Sequence, residues 1–153
     1  MSLPALGVDG TVYVGSNNKQ FVALNGTNGV LLWAYTVLNN FPSSPAIAPD
    51  GTLFVGNDDK SVYSFTGSGV LRWSRALGGR VCSSPAISPD NSRLFVGSDD
   101  GRLYCLLLST GVQVWNMSTA ASITSSPTRA SSGVVIVGSA DANVYGVDEA
   151  SGM

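Results

Sequence analysis

Four short apolar runs recur along the chain at a constant spacing. They are Thr-Val-Tyr-Val at 11–14, Leu-Phe-Val at 53–55, Leu-Phe-Val at 94–96 and Val-Val-Ile-Val at 134–137. Each ends in a Val-Gly pair, with valines at positions 14, 55, 96 and 137, a step of 41 residues. No run alternates with polar residues, as a strand with one solvent-exposed face would do. The pattern therefore predicts strands covered on both faces, in a repeat of 41 residues.

Within one repeat, turn-forming residues separate four short apolar or β-branched segments. In the second repeat the turns are Pro49-Asp50-Gly51, then 57–60, then 66–69, and the segments between them are four to six residues long. Gly, Pro, Asn and Asp favour tight turns, so the repeat reads as an antiparallel meander of four strands. A helical solenoid is excluded, because no ten-residue window both lacks turn residues and carries a 3.6-residue apolar stripe.

A repeat of this length is typical of propellers and solenoids. In a meander of this period, the neighbouring meander supplies the cover for both faces. The sequence thus predicts an all-β fold, a β-propeller of four-stranded antiparallel blades with about 3¾ blades in this chain. The predicted blades are residues 2–41, 43–82, 83–124 and 125–153, of which the last lacks its outer strand.

The third strand and the turn after it carry a recognisable motif. It appears as Val-Tyr-Gly-Val-Asp at 144–148 with Ser-Gly at 151–152, as Leu-Tyr-Cys-Leu at 103–106 with Ser-Thr-Gly at 109–111, and as Thr-Gly at 66–67. A Gly-x-x-x-Trp spacing accompanies it at Gly29 and Trp33, Gly69 and Trp73, and Gly111 and Trp115. These residues resemble the pyrroloquinoline-quinone-like (PQQ-like) repeat family of eight-bladed quinoprotein-type propellers. The resemblance implies that the three tryptophans and these glycines pack between neighbouring blades.

An eight-bladed ring would make this chain about half of a propeller. A closed four-bladed ring is the alternative. One blade face measures roughly 20 Å by four strands at about 4.8 Å, near 400 Å². Leaving one such apolar face in water forfeits up to about 10 kcal/mol at about 25 cal/mol per Å². We therefore expect either a homodimer that closes a pseudo-eight-bladed ring or the remainder of a longer parent propeller to cover the two end faces.

Candidate chemistry is sparse. The chain has no His, which removes the usual general base and the Ser-His-Asp triad. The carboxylate pairs Asp58-Asp59 and Asp99-Asp100 occupy equivalent turns, and with Arg80 they are the candidate binding residues of the loop face. A ring of acidic loops can hold a cation, but Asp also stabilises tight turns through its own backbone. Asn17-Asn18 and Ala140-Asp141 at the matching positions favour the turn role.

A quinone cofactor is the further chemistry that the resemblance raises. Quinoprotein dehydrogenases of this fold use a bound calcium or similar ion, an acidic base and adjacent cysteines. Cys82 and Cys105 are not adjacent, and Glu149 is the only Glu. We therefore expect no cofactor, no metal and no enzymatic activity. The leading hypothesis is a protein-interaction scaffold similar to periplasmic assembly factors with these repeats. The alternative is a fragment of a quinoprotein dehydrogenase or sensor enzyme whose active-site residues lie outside this chain.

Charge and composition narrow the partners. Only 12% of residues are charged and the formal net charge is −2, so no basic stripe for nucleic acid exists. No apolar run approaches the roughly 20 residues of a membrane span, and no secretory signal is visible. We expect two free thiols, with Cys105 packed as a small apolar group. The serine pairs 43–44, 83–84 and 125–126 precede the first strands and are expected to cap or turn the chain.

Overall fold

A computed structural model describes residues 2–153. Within this range it contains fifteen β-strands and no helix. Blade 1 consists of β1 (Ala5–Leu6), β2 (Thr11–Gly15), β3 (Gln20–Asn25) and β4 (Leu31–Thr36). Blade 2 consists of β5 (Ala46–Ile47), β6 (Leu53–Gly56), β7 (Ser61–Phe65) and β8 (Leu71–Ala76). Blade 3 consists of β9 (Ala86–Ile87), β10 (Arg93–Gly97), β11 (Arg102–Leu107) and β12 (Gln113–Ser118). Blade 4 consists of β13 (Thr128–Arg129), β14 (Val134–Gly138) and β15 (Val144–Asp148).

Each blade is an antiparallel meander whose strands pair in chain order. The first turn shows how the sequence builds it. The Gly51 N–H donates to the Ala48 carbonyl at 2.9 Å, and Gly51 has a φ of 79°, which glycine adopts without strain. The Asp50 carboxylate accepts from the Thr52 N–H at 2.9 Å, as short polar side chains do in turns. The predicted all-β propeller fold is therefore confirmed.

Burial of the second strand differs between inner and end blades. All four residues of β6 are buried, and so are Leu94–Gly97 of β10, because a blade lies against each face. In β2 and β14, buried and more exposed residues alternate instead. The prediction of strands covered on both faces holds for blades 2 and 3. In the end blades one face meets no neighbour, so equally apolar sequences are only half covered.

The apolar core lies between blades and is divided into three clusters. The cluster between blades 1 and 2 is centred on Phe21, Phe41 and Phe65. The clusters between blades 2 and 3 and between blades 3 and 4 are equivalent to it; they include Phe54, Leu94, Val96 and Leu106, and Phe95, Leu103, Ile123 and Val135. Each blade is thus stabilised by its neighbours rather than by a core of its own.

Blades 1 and 4 do not close on each other. No hydrogen bond joins them among residues 2–153, and the side chains at their outer faces are exposed, with Leu6 at 69% and Val144 at 75%. The closed four-bladed ring is therefore wrong for this chain. The blade series stays open at both ends.

Candidate functional site

The three junctions between successive blades are built around a tryptophan from the fourth strand. Each indole N–H donates to a backbone carbonyl of the following blade. Trp33 donates to Gly67 at 2.9 Å, Trp73 to Leu108 at 3.1 Å and Trp115 to Glu149 at 3.0 Å. All three indoles are only partly buried, because the fourth strand lies at the outer rim of its blade.

A glycine of the following blade makes room for each indole. A Cβ built on Gly69 would lie 2.6 Å from the Trp33 ring, and one on Gly111 would lie 2.6 Å from the Trp73 ring. Gly152 stands in the same relation to Trp115, also at 2.6 Å. Each tryptophan therefore packs on the glycine of the next repeat and not on the one four residues before it. Gly29 has the same positive φ but no heavy atom within 4 Å of its Cβ position, so no indole reaches it within the chain.

Across the blade, each tryptophan stands opposite a small residue of the third strand. The cross-strand partners are Ala23 and Trp33, Ser64 and Trp73, and Cys105 and Trp115. A larger side chain would occupy the place of the indole. Cys105 is fully buried there, and burial raises the pKa of its thiol to about 11. Both cysteines are free in the structure, and Cys105 packs as a small apolar residue.

The glycine of the Val-Gly repeat lies where the linker enters the next blade. A Cβ on Gly56 would meet the Val81 side chain at 2.5 Å, and one on Gly97 would meet Ile123 at 2.3 Å. With contacts below 3.0 Å, the linker or the strand would have to shift. The Val-Gly pair therefore recurs every 41 residues because two backbone segments approach each other closely at this glycine.

The serine pairs form two kinds of link near the first strand. The first serine binds within its own blade: Ser43 Oγ accepts from the Gly56 N–H at 2.6 Å, and Ser83 Oγ accepts from the Gly97 N–H at 2.7 Å. The second serine joins blades, because its hydroxyl accepts from the backbone N–H of the equivalent residue in the preceding blade. These links are Leu3 to Ser44 at 2.9 Å, Ser44 to Ser84 at 2.9 Å, and Ser84 to Ser126 at 3.0 Å. Sequence analysis missed this role; the signal was the serine at the same position of three repeats.

The acidic loops of blades 2 and 3 are connected by an arginine. Arg80 Nε donates to Asp99 Oδ2 at 2.8 Å, and its Nη1 lies 3.9 Å from Asp58 Oδ1. The hydrogen bond and charge of Asp99 raise the pKa of the Arg80 guanidinium further. The Arg80 guanidinium is thus shared by the carboxylates of Asp58 and Asp99. Of the five loop-face candidates, Asp58, Arg80 and Asp99 are therefore brought together as an ion-pair cluster.

The second carboxylate of each pair faces a tyrosine. Asp59 accepts from the Tyr63 hydroxyl at 2.5 Å, and Asp100 accepts from the Tyr104 hydroxyl at 2.5 Å. Burial, and then the hydrogen bond to the carboxylate, raises the pKa of both tyrosines. The same pair recurs in blade 4 as Asp141 and Tyr145, at 2.7 Å. These aspartates hold their own turns against the third strand.

We expect calcium to leave the melting temperature of the chain almost unchanged. Arg80, Tyr63 and Tyr104 already engage the loop carboxylates, so a cation would have to displace them. Calcium at 100 times its dissociation constant would add about 2.7 kcal/mol, a rise of roughly 5–10 °C for a chain of this size. Differential scanning fluorimetry at millimolar calcium, against sodium chloride of equal ionic strength, measures this. A rise of several degrees with calcium alone would revive a cation site.

The residues needed for a quinone and its metal do not come together. Among residues 2–153 no group of three or more His, Cys, Asp or Glu side chains is arranged to hold a metal ion. Cys82 lies in the linker before β9, whereas Cys105 lies inside β11 in the core. The structure therefore does not fit the ion and the vicinal cysteines that the quinoprotein resemblance implies.

Two shallow grooves follow the blade junctions. One, about 260 Å³, lies between blades 2 and 3 and includes Asp50, Arg72 and Leu108. The second, about 210 Å³, lies between blades 1 and 2 and includes Asp9, Tyr13 and Gly67. The two grooves thus lie at two successive blade junctions. In the part of the chain that the structure describes, no helix has the length and apolarity to cross a membrane.

These junctions define the protein class: a PQQ-like β-propeller whose blades dock by tryptophan. A family model described as outer membrane protein assembly factor BamB matches residues 2–88 and 67–153, so the chain belongs to that family. No curated protein matches it significantly.

Solved structures share the fold at low sequence identity. BamB from Moraxella catarrhalis is 18% identical with a TM-score of 0.85, and the match covers 99% of this chain and 50% of that chain. The computationally designed Ika8 protein is 16% identical with a TM-score of 0.84, covering 100% of this chain and 46% of that chain. The computationally designed Ika4 protein is 17% identical with a TM-score of 0.81, and the match covers 95% of this chain and 88% of that chain. The chain thus spans about half the length of BamB and Ika8.

Proposed function

We propose that the chain is a non-catalytic scaffold segment that works within a larger PQQ-like propeller and binds proteins through its surfaces. The proposal rests on one observation: the same blade junction occurs three times, and each end blade exposes a face equivalent to one side of such a junction. The description of the family as an assembly factor supports a protein-binding role. Among residues 2–153, no group of side chains adds support to the alternative of an enzyme fragment, whose active-site residues would lie outside this chain.

The outer face of blade 1 is equivalent to the face that receives a tryptophan at each internal junction. Leu6 is 69% exposed and Gly29 is open. Val12 and Val14 are only partly buried, whereas the equivalent residues of blade 2, Leu53 and Val55, are completely buried. The face is apolar and its residues are equivalent to those of the covered faces, so we infer that a further blade covers it.

The outer face of blade 4 is the opposite half. Val144 is 75% exposed and Ile136 is 36% exposed, whereas the equivalent Leu103 and Phe95 of blade 3 are completely buried. Half of BamB and 46% of Ika8 correspond to this chain, which supports a ring of about twice its blade number. A second copy of the chain can bring its blade 1 against this face.

A junction between two copies would lack part of what the internal junctions have. Position 3 is leucine where the later repeats have Ser44, Ser84 and Ser126, so it offers no hydroxyl to the Ser126 N–H of the other copy. The three tryptophans of the chain are already docked internally. We infer that copies associate through their apolar end faces, more weakly than the blades within one chain.

We expect the isolated chain to self-associate at micromolar concentration. The physical reason is the apolar surface that is exposed at both ends. Each end face measures roughly 400 Å², and its exposure to water is unfavourable. Sedimentation velocity across a dilution series measures the mass, with a dimer near twice 15.8 kDa expected. A stable, well-folded monomer at all concentrations would refute the half-ring proposal.

A pair of lysine variants localises the contact. Leu6→Lys places a charge on the open face of blade 1, whereas Leu38→Lys places it at an 83%-exposed site in the linker after β4. Burying an unpaired charge is costly, so only Leu6→Lys should shift the equilibrium toward monomer. Equal behaviour of the two variants would show that the association does not use the end face.

A further inference from the structure

The outermost strand of each complete blade has one edge to which no strand is paired within residues 2–153. These strands are β4, β8 and β12, which stand at the ends of their sheets. The valine before each strand is exposed in all three blades, at 57% for Val30, 61% for Val70 and 51% for Val112. Blades 2 and 3 have a neighbour on both faces, so this exposure belongs to the outer edge and not to the ends of the blade series.

The main-chain groups on the open edge of β4 follow from its pairing with β3. Val37 N–H donates to the Lys19 carbonyl at 3.0 Å, so every second residue of β4 counted back from Val37 directs its main chain toward β3. The residues between them, Ala34 and Thr36, direct their N–H and C=O groups away from β3. Both residues are exposed and have short side chains. The edge therefore offers accessible donors and acceptors to an incoming strand.

The edge of β4 differs in charge from the edge of β8. Residues 30–38, Val-Leu-Leu-Trp-Ala-Tyr-Thr-Val-Leu, contain no charged residue, glycine or proline. β8 has Arg72 and Arg75 at the positions of Leu32 and Tyr35. Charged side chains protect an open edge from pairing with another chain, whereas short uncharged segments of high β-propensity pair readily. β8 has this protection and β4 lacks it.

We propose that β4 is an interaction surface for a second copy of this chain, through antiparallel pairing of the two β4 edges. The occupant must itself have an unpaired edge, and β4 is the open edge without charged or amide side chains, because β12 carries Gln113 and Asn116. Pairing of β4 with itself places no like charges opposite each other, which would be unfavourable. The contact is separate from the end faces and goes beyond the proposed scaffold function.

The size of this contact makes it weak. Six residues at about 3.4 Å per residue give a strand pair about 20 Å long. A contact of this length lies below the roughly 1,200 Å² of buried surface that stable complexes reach. Main-chain pairing supplies the affinity, and the exposed Leu31 and Leu32 add apolar contact. The edge therefore joins copies at submillimolar concentration.

The first test is made in the Leu6→Lys variant, so that association through the end faces is suppressed. Thr36→Pro removes one outward N–H from each copy, and at about 1 kcal/mol per hydrogen bond the dissociation constant should rise about tenfold or more. Ala76→Pro makes the same change at the equivalent position of β8 and should leave the dissociation constant unchanged. Sedimentation equilibrium measures both, with circular dichroism as the check of folding. Equal effects of the two prolines would overturn the proposal.

A cross-link locates the contact even if a proline variant does not fold. Ala34→Cys places a thiol on β4, and in an antiparallel self-pair the two thiols of opposite or diagonal residues lie about 5–8 Å apart. A short bismaleimide should therefore join two copies, whereas Ser74→Cys on β8 should give only the background from Cys82 and Cys105. In a ring closed through the end faces, the two Ala34 residues lie at different junctions. Equal yields from the two variants would reject the edge contact and leave the scaffold function standing.

Discussion

Replacing Trp73 with alanine is expected to lower the free energy of unfolding by about 3–5 kcal/mol, the range for a large core aromatic. Trp73 packs on Gly111, lies 5.8 Å from the Phe54 ring and donates to the Leu108 carbonyl at 3.1 Å. Its removal leaves a cavity between blades 2 and 3 and an unpaired carbonyl. Urea unfolding followed by circular dichroism measures the loss.

Two further variants separate the contributions at this junction. Trp73→Phe keeps most of the ring and removes the hydrogen bond, which should cost about 1 kcal/mol from that term. Val114→Ala alters a 43%-exposed residue of β12 and should stay within about 0.5 kcal/mol. A loss below about 1 kcal/mol for Trp73→Ala would mean that the indole does not hold the blades together.

Gly111→Ala is expected to destabilise the chain strongly, whereas Gly29→Ala is expected to do so mildly. Both glycines have a φ of 71°, so both alanines pay the same backbone strain of roughly 1–2 kcal/mol. Only the alanine at 111 also meets the Trp73 ring, 2.6 Å from its Cβ. Forcing extra volume into a packed site adds typically 1–3 kcal/mol, so we expect a total of about 2–5 kcal/mol.

The difference between these two variants measures the docking contact itself, because backbone strain cancels. Gly111→Ala in a Trp73→Ala background provides the coupling, since the clash disappears with the indole. In that background, Gly111→Ala should cost little more than Gly29→Ala does. If the two glycine variants were equally stable in the unaltered chain, the close approach of Gly111 to Trp73 would not be energetically significant.

The glycine that each tryptophan contacts shows where sequence reasoning reaches its limit. The Gly-x-x-x-Trp spacing associates Gly69 with Trp73, but the structure places Gly69 under Trp33 and Gly111 under Trp73. A strict period makes the two pairings indistinguishable in sequence, because Gly69 and Gly111 each have one tryptophan in their own repeat and another in the preceding repeat. Only the direction in which the fourth strand leans toward the next blade selects one of the two pairings.

Arg80 illustrates a second limit. The equivalent residues of the other linkers are Asn40 and Ser122, so no repeat signal marks it. Its contacts with Asp58 and Asp99 arise because the linker from β8 runs beside the loop of the following blade. The carboxylates were identifiable as loop residues from turn chemistry. Arg80 was a candidate of the same loop face, but its ion pairs with Asp58 and Asp99 were not predictable, because Asp99 lies 19 residues away in the following blade.

The amino-acid sequence by itself determined the repeat, the four strands of a blade and the apolar character of both blade faces. Local turn chemistry and strand periodicity suffice for these, since each depends on residues within one repeat. The tertiary structure alone decided which faces are covered, which glycine receives which indole and which serine joins two blades. Those properties depend on the geometry between repeats. Equivalent apolar strands are therefore buried in blades 2 and 3 and half exposed in blades 1 and 4.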